Sequence, residues 1–150
     1  MMGLNSFKTF NITPEWKNKQ PFQDSTHIER IIQSNAVYAA MIASMDENIG
    51  RIIDELKRLG LYENTIIIFT SDNGGLSTSE GSPTANLPLR GGKGFTYEGG
   101  IREPLIVRIP HMENAGNRCD SMVISTDYYP TILEMTGSNL HPEQHLDGIS

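Results

Sequence analysis

Asp72 and Asn73, in "FTSDNGG", follow directly on a run of β-forming residues, Thr65 to Thr70. A carboxylate beside an amide oxygen is a hard donor pair, suited to Ca²⁺ or Mg²⁺ and unsuited to soft metals. Two donors are a partial set, since such cations take about six oxygens. Asp-Asn-Gly is also favourable turn chemistry without any ligand, so spacing alone leaves both readings open. Lys93, in "RGGKGF", stands between glycines. Glycines let backbone approach a ligand closely, and a lysine there is a mobile point charge for an oxyanion. Arg90 adds a second cation nearby. The plain alternatives are an exposed loop lysine at 93 and a structural Glu98, paired with Arg102 or Arg90.

These residues need elements to hold them. In a parallel α/β sheet, ligands collect beyond the carboxyl ends of strands, which is where Asp72 and Asn73 stand. The strand itself, Ile66 to Phe69, is apolar without alternation, as in a strand covered on both faces of a parallel sheet. A second strand is expected from about Pro104 to Ile109. Before them, Tyr38, Met41, Met45, Ile49, Ile52, Leu56 and Leu59 recur at steps of three and four. They mark one face of a helix, and that stripe is expected to pack into the core. Ser34 or Asn35 is placed to cap its start and Gly60 to end it. "STDYYPTILEMTG" predicts a further helix, with Ser125 to Asp127 as caps, Pro130 in the first turn and Gly137 as the stop. Helix, strand, long loop, strand, helix is an α/β order. Residues 1–34, polar and interrupted by Pro14 and Pro21, are expected to form an irregular arm ahead of a domain at 35–150. The glycine-rich stretch from Gly74 to Gly100 is too long for a simple connection, and loops of that length are usually functional or disordered.

Composition narrows the partners. The chain has 150 residues and a formal net charge of −6, with no basic cluster, which argues against nucleic acid. No apolar run approaches the roughly 18 residues that cross a bilayer, and the first residues show no export signal. The single cysteine, Cys119, excludes an internal disulfide and a multi-cysteine metal site; between polar neighbours it reads as a bystander.

Four segments, in order, resemble the type I sulfatases, members of the alkaline phosphatase-like α/β superfamily. They are "YAAMIASMDENIGRIIDELKRLGLYENTIIIFTSDNGG", "PLRGGKGFTYEGGIREPLIVRIP", "STDYYPTILEMTG" and "LDGIS". The resemblance spans Asn35 to Ser150. It implies a sulfuric ester hydrolase in which Asp72 and Asn73 ligate calcium, ahead of magnesium, and Lys93, with Arg90 nearby, contacts the sulfate. It implies a sulfate ester as substrate, a sulfated carbohydrate among the candidates, and an exported or periplasmic setting. The side chains at 72, 73 and 93 are then expected to converge at the rim of the sheet. The family's nucleophile, a formylglycine made from Cys or Ser in Cys/Ser-x-Pro-x-Arg, has no matching motif here, and His27, His111, His141 and His145 match nothing catalytic. The chain therefore reads as the second half of a sulfatase catalytic domain, inactive alone, with exposed apolar surface and self-association expected. A non-catalytic metal-binding or interaction module and a phosphoesterase of the same superfamily are the alternatives. The Gly-Gly-Lys-Gly and Tyr-Glu-Gly-Gly elements speak against the phosphoesterase.

Overall fold

The computed structural model describes residues 7–11, 26–112, 115–144 and 147–150, with backbone alone at 7–11, 26 and 27. The chain divides into two compact units, one of residues 1–63 with 68–107, the other of 64–67 with 108–150.

In the first unit, strands β1 (Phe7–Asn11) and β2 (Thr26–Arg30) form an antiparallel pair, Phe7 opposite Arg30 and Asn11 opposite Thr26. Part of the segment expected to be irregular is thus a two-stranded ladder. Its polar residues alternate only weakly, so the pattern did not show it. Helix α1 (Ala36–Arg58) follows. The Asn35 side chain accepts from the Tyr38 amide at 3.0 Å, satisfying one of the donors that a helix start leaves open. Lys57 and Arg58 lie in the last turn, where cations complement the helix dipole, and Gly60 follows with φ +69°. Arg58 pairs with Glu55 at 2.6 Å, which lowers the carboxyl's pKa. That pair is exposed, so solvent and salt screen it.

The apolar stripe of α1 does not form a core. No residue of the helix is buried; Val37 is 72% and Ile52 64% exposed. Among the described residues no element packs broadly on it. Period 3.6 reports that a face suits burial and says nothing of what covers it. The exposed apolar surface expected from the sequence is therefore present along this helix.

Strands β3 (Ile67–Thr70) and β4 (Leu105–Arg108) pair in a second sheet. They are shorter than their apolar runs and are not covered on both faces: Ile67 and Ile68 are half-buried, while Leu105, Ile106 and Val107 are exposed. A short helix, α2 (Glu98–Ile101), precedes β4, and the rest of residues 74–97 is irregular.

In the second unit, Asp127 organises the chain. Its carboxylate accepts from the amides of Ile124 and Ile149, each at 3.0 Å, and the Thr126 hydroxyl donates to the Asp147 carbonyl at 3.1 Å. Helix α3 (Tyr128–Met135) begins there, with Pro130 buried in its first turn, and ends before Gly137. The two amides, that of Ile124 first, hold the Asp127 pKa below its ordinary value. A carboxyl whose folded pKa is depressed contributes stability above its unfolded pKa, about 3.9, and loses it as pH falls through the lower folded value. The amides of Ile124 and Ile149 are expected to be protected from hydrogen exchange at neutral pH. They should lose that protection in Asp127→Ala, and in the wild type as pH falls through the lowered folded pKa, below the ordinary aspartate range. Equal protection in both proteins at neutral pH would contradict this role.

Candidate functional site

The strand end comes first. The Thr70 hydroxyl donates to the Pro104 carbonyl at 3.0 Å, and the Gly74 amide to the Gly100 carbonyl at 3.1 Å. Residues 70–74 and 100–104 therefore lie side by side and run in opposite senses. Asp72 is exposed and Asn73 half-buried. If Asp-Asn-Gly were only a turn, these side chains would bond their own backbone. Here it is the Ser71 hydroxyl that does so, donating to the Asn73 carbonyl at 2.8 Å. The Asp72 and Asn73 side chains have no hydrogen-bond partner among the described residues. Glu103 lies on the facing segment. Its Oε1 is buried without a hydrogen-bond partner among the described residues. Burial, and then the charge of Asp72, raise its pKa.

The glycine-rich loop is tied to the same strand end. The Lys93 amide donates to the Gly75 carbonyl at 3.2 Å. The Asn86 amide group spans the Gly75 and Gly91 carbonyls at 2.7 and 2.9 Å, and the buried Ser77 hydroxyl donates to Gly91 at 3.0 Å. This contact requires a glycine at 92, where a Cβ would lie 2.3 Å from the Gly75 oxygen and 2.6 Å from the Ser77 hydroxyl. Lys93 is exposed, and its ammonium makes no ion pair among the described residues. The Arg90 guanidinium lies over the Tyr97 ring, 4.0 Å from its centroid. Glu98 pairs with Arg102 at 3.3 Å, one of the two structural partners its sequence position offered.

The structure thus joins the backbones that carry Asp72, Asn73 and Lys93. Sequence reasoning missed Glu29, a completely buried carboxylate on β2 that accepts from the Gly91 amide at 2.8 Å. Only strand alternation at 26–30 could have assigned it an inward face, and that segment read as irregular. Elsewhere, Cys119 is an exposed thiol in the second unit, its pKa lowered by the neighbouring Ser121 hydrogen bonds. His111 and His141 are exposed; His145 and the side chain of His27 lie outside the described residues. A cavity of about 340 Å³ on α1, lined by Asn48, Arg51, Ile52, Glu55 and Leu56, contains none of the candidate residues.

The donor set fits a hard divalent cation. Asp72 and Asn73 present uncommitted oxygens, and a nearby carboxylate, Glu103, keeps a buried oxygen that nothing among the described residues satisfies. No group of three or more His, Cys, Asp or Glu placed to hold a metal occurs among the described residues, so they supply only part of a coordination sphere.

The family model for sulfatases matches residues 5–138. The chain belongs to the sulfatase family. Arylsulfatase J of Mus musculus is 44% identical over 81% of the chain, and steryl-sulfatase of Homo sapiens 34% over 76%. The chain spans about a fifth of the length of each, 20% in both cases. A solved structure, Ps i-CgsB in complex with k-i-k-neocarrahexaose, superimposes with a TM-score of 0.69 at 38% identity. The match covers 77% of this chain and 25% of that one. This sulfatase-family segment accordingly has the α/β, alkaline phosphatase-like fold. Its family match also reaches back through β1 and β2, the ladder that carries Glu29.

The seam between the loop and the strand end gives a stability test. Gly92→Ala must displace the Gly75 carbonyl, at a cost on the order of 1–3 kcal/mol. The expected outcome is a melting temperature several degrees lower. An unchanged value would show that the two segments do not meet as described.

Proposed function

We propose that this segment serves a sulfuric ester hydrolase, supplying calcium ligands at Asp72 and Asn73 and a sulfate contact at Lys93. One observation carries the reading: the Lys93 amide bonds the Gly75 carbonyl at 3.2 Å, two residues beyond Asn73, so the oxygen donors and the lysine start from adjoining backbone. Bound calcium would supply fixed positive charge beside the sulfate oxygens. Lys93 brings a mobile ammonium on a long stem to the same anion, and Arg90, held over Tyr97, adds positive charge at the loop's start. As the ester bond lengthens, negative charge grows on the leaving oxygen. Cations fixed beforehand stabilise that state more than the bound ester. The Asp72 and Asn73 side chains, without competing hydrogen bonds among the described residues, can hold the cation without breaking local structure.

No residue of this sequence is assigned the nucleophile, because Cys/Ser-x-Pro-x-Arg does not occur in it. The solved relative was studied with a neocarrahexaose, which supports a sulfated carbohydrate as substrate class.

Calcium titration of the chain by calorimetry tests the reading. Binding is expected in the wild type and a loss of about tenfold or more in Asp72→Ala. Unchanged affinity in that variant would overturn the assignment. In the same preparation no aryl sulfate turnover is expected, since the covalent step lacks its nucleophile. Turnover abolished by Asp72→Ala would contradict that expectation.

A further inference from the structure

Glu29 is completely buried, and the mechanism above gives it no role. Burying a carboxylate is costly unless hydrogen bonds hold it. This one accepts the amide of Gly91, at 2.8 Å, two residues before Lys93. Gly91 has φ +73°, and its carbonyl is held by Ser77 and Asn86. Both sides of that peptide unit's residue are thus fixed, the N–H by Glu29 and the C=O by the loop itself.

The neighbours of Glu29 grip the same loop further along. The Arg30 amide donates to the Ser77 carbonyl at 2.8 Å, and its side chain donates to Ser34 and to the Ser82 carbonyl. The Gln33 side chain donates to Thr84 and the Ala85 carbonyl at 2.6 and 2.9 Å and accepts from the Ala85 amide at 3.1 Å. Residues 29–33 clasp the loop at 77, 82, 84, 85 and 91, and of these contacts the one made by Glu29 is nearest to Lys93 in the chain.

We infer that Glu29 is a positioning residue for Lys93: by holding the Gly91 amide it fixes the loop from which the lysine reaches its oxyanion. The inference rests on the reading of Lys93 as the sulfate contact. An oxygen acceptor at 29 suits the task because it meets the Gly91 N–H inside the fold, away from water. A hydrophobic residue at 29 would fill the space and leave the Gly91 amide unsatisfied.

The test uses inorganic sulfate as the probe, followed at the Lys93 and Gly91 amides by NMR titration of the chain, with calcium affinity measured alongside. Glu29→Ala is expected to weaken sulfate binding about tenfold, to speed hydrogen exchange at Gly91 and Lys93, and to leave calcium affinity unchanged. Glu29→Gln, whose amide oxygen still accepts the Gly91 N–H, is expected to stay within a few-fold of the wild type and covers the case in which the alanine variant does not fold. Lys93→Ala separates the two claims. If it weakens sulfate binding while Glu29→Ala does not, the role of Glu29 is overturned and the sulfate contact stands. If Lys93→Ala leaves sulfate binding unchanged, or the wild type itself shows no specific sulfate response, the underlying reading fails and the inference with it. Equal losses in Glu29→Gln and Glu29→Ala would also overturn it, since a retained acceptor should rescue.

Discussion

The amide of Lys93 donates to the carbonyl of Gly75 across 3.2 Å, and the candidate site depends on that contact. It brings a loop that carries a cation against a strand end that carries two oxygen donors. The contact in turn depends on the missing side chain at 92, because any Cβ there would occupy the space of the Gly75 oxygen and the Ser77 hydroxyl. A second close approach repeats the principle: a Cβ at Gly74 would fall 1.7 Å from the Gly99 oxygen. Close backbone packing of this kind is the use of glycine that the composition of the loop reflects.

Electrostatics divides the site into committed and uncommitted groups. Glu98 and Arg102 neutralise each other, Arg90 lies over Tyr97, and Glu29 is bound to the Gly91 amide. Asp72, Asn73 and Lys93 keep their side-chain polar atoms unspent among the described residues. Glu103 keeps one buried oxygen without a hydrogen-bond partner among the described residues, and burial, then the charge of Asp72, raise its pKa.

The sequence was most legible where a local rule decides the outcome. The period of α1, its Asn35 cap, the glycine at 60, the start of α3 at Tyr128 and its stop before Gly137 all follow from short-range chemistry. Burial was less legible, since the stripe of α1 could be read but not what covers it. The β1–β2 ladder escaped because strand pairing is non-local and its polar residues alternate weakly. Glu29 escaped with it: its meaning comes from Gly91, distant in sequence, and no spacing rule connects them. Asp72, Asn73 and Lys93 were visible as residue types, and the family motifs gave them roles. What the structure adds is the hydrogen-bonded seam between their backbones.

The central claim is spatial, that a cation held at Asp72 and Asn73 lies beside Lys93. Mn²⁺, which favours the same oxygen donors as Ca²⁺, can be added in trace amounts to the isotope-labelled chain as a paramagnetic probe. The account predicts that the Lys93 signals broaden together with those of Asn73, Gly74 and Gly75, and recover when excess Ca²⁺ displaces the probe. Sharp Lys93 signals alongside a broadened strand end, or broadening centred elsewhere on the chain, would contradict it.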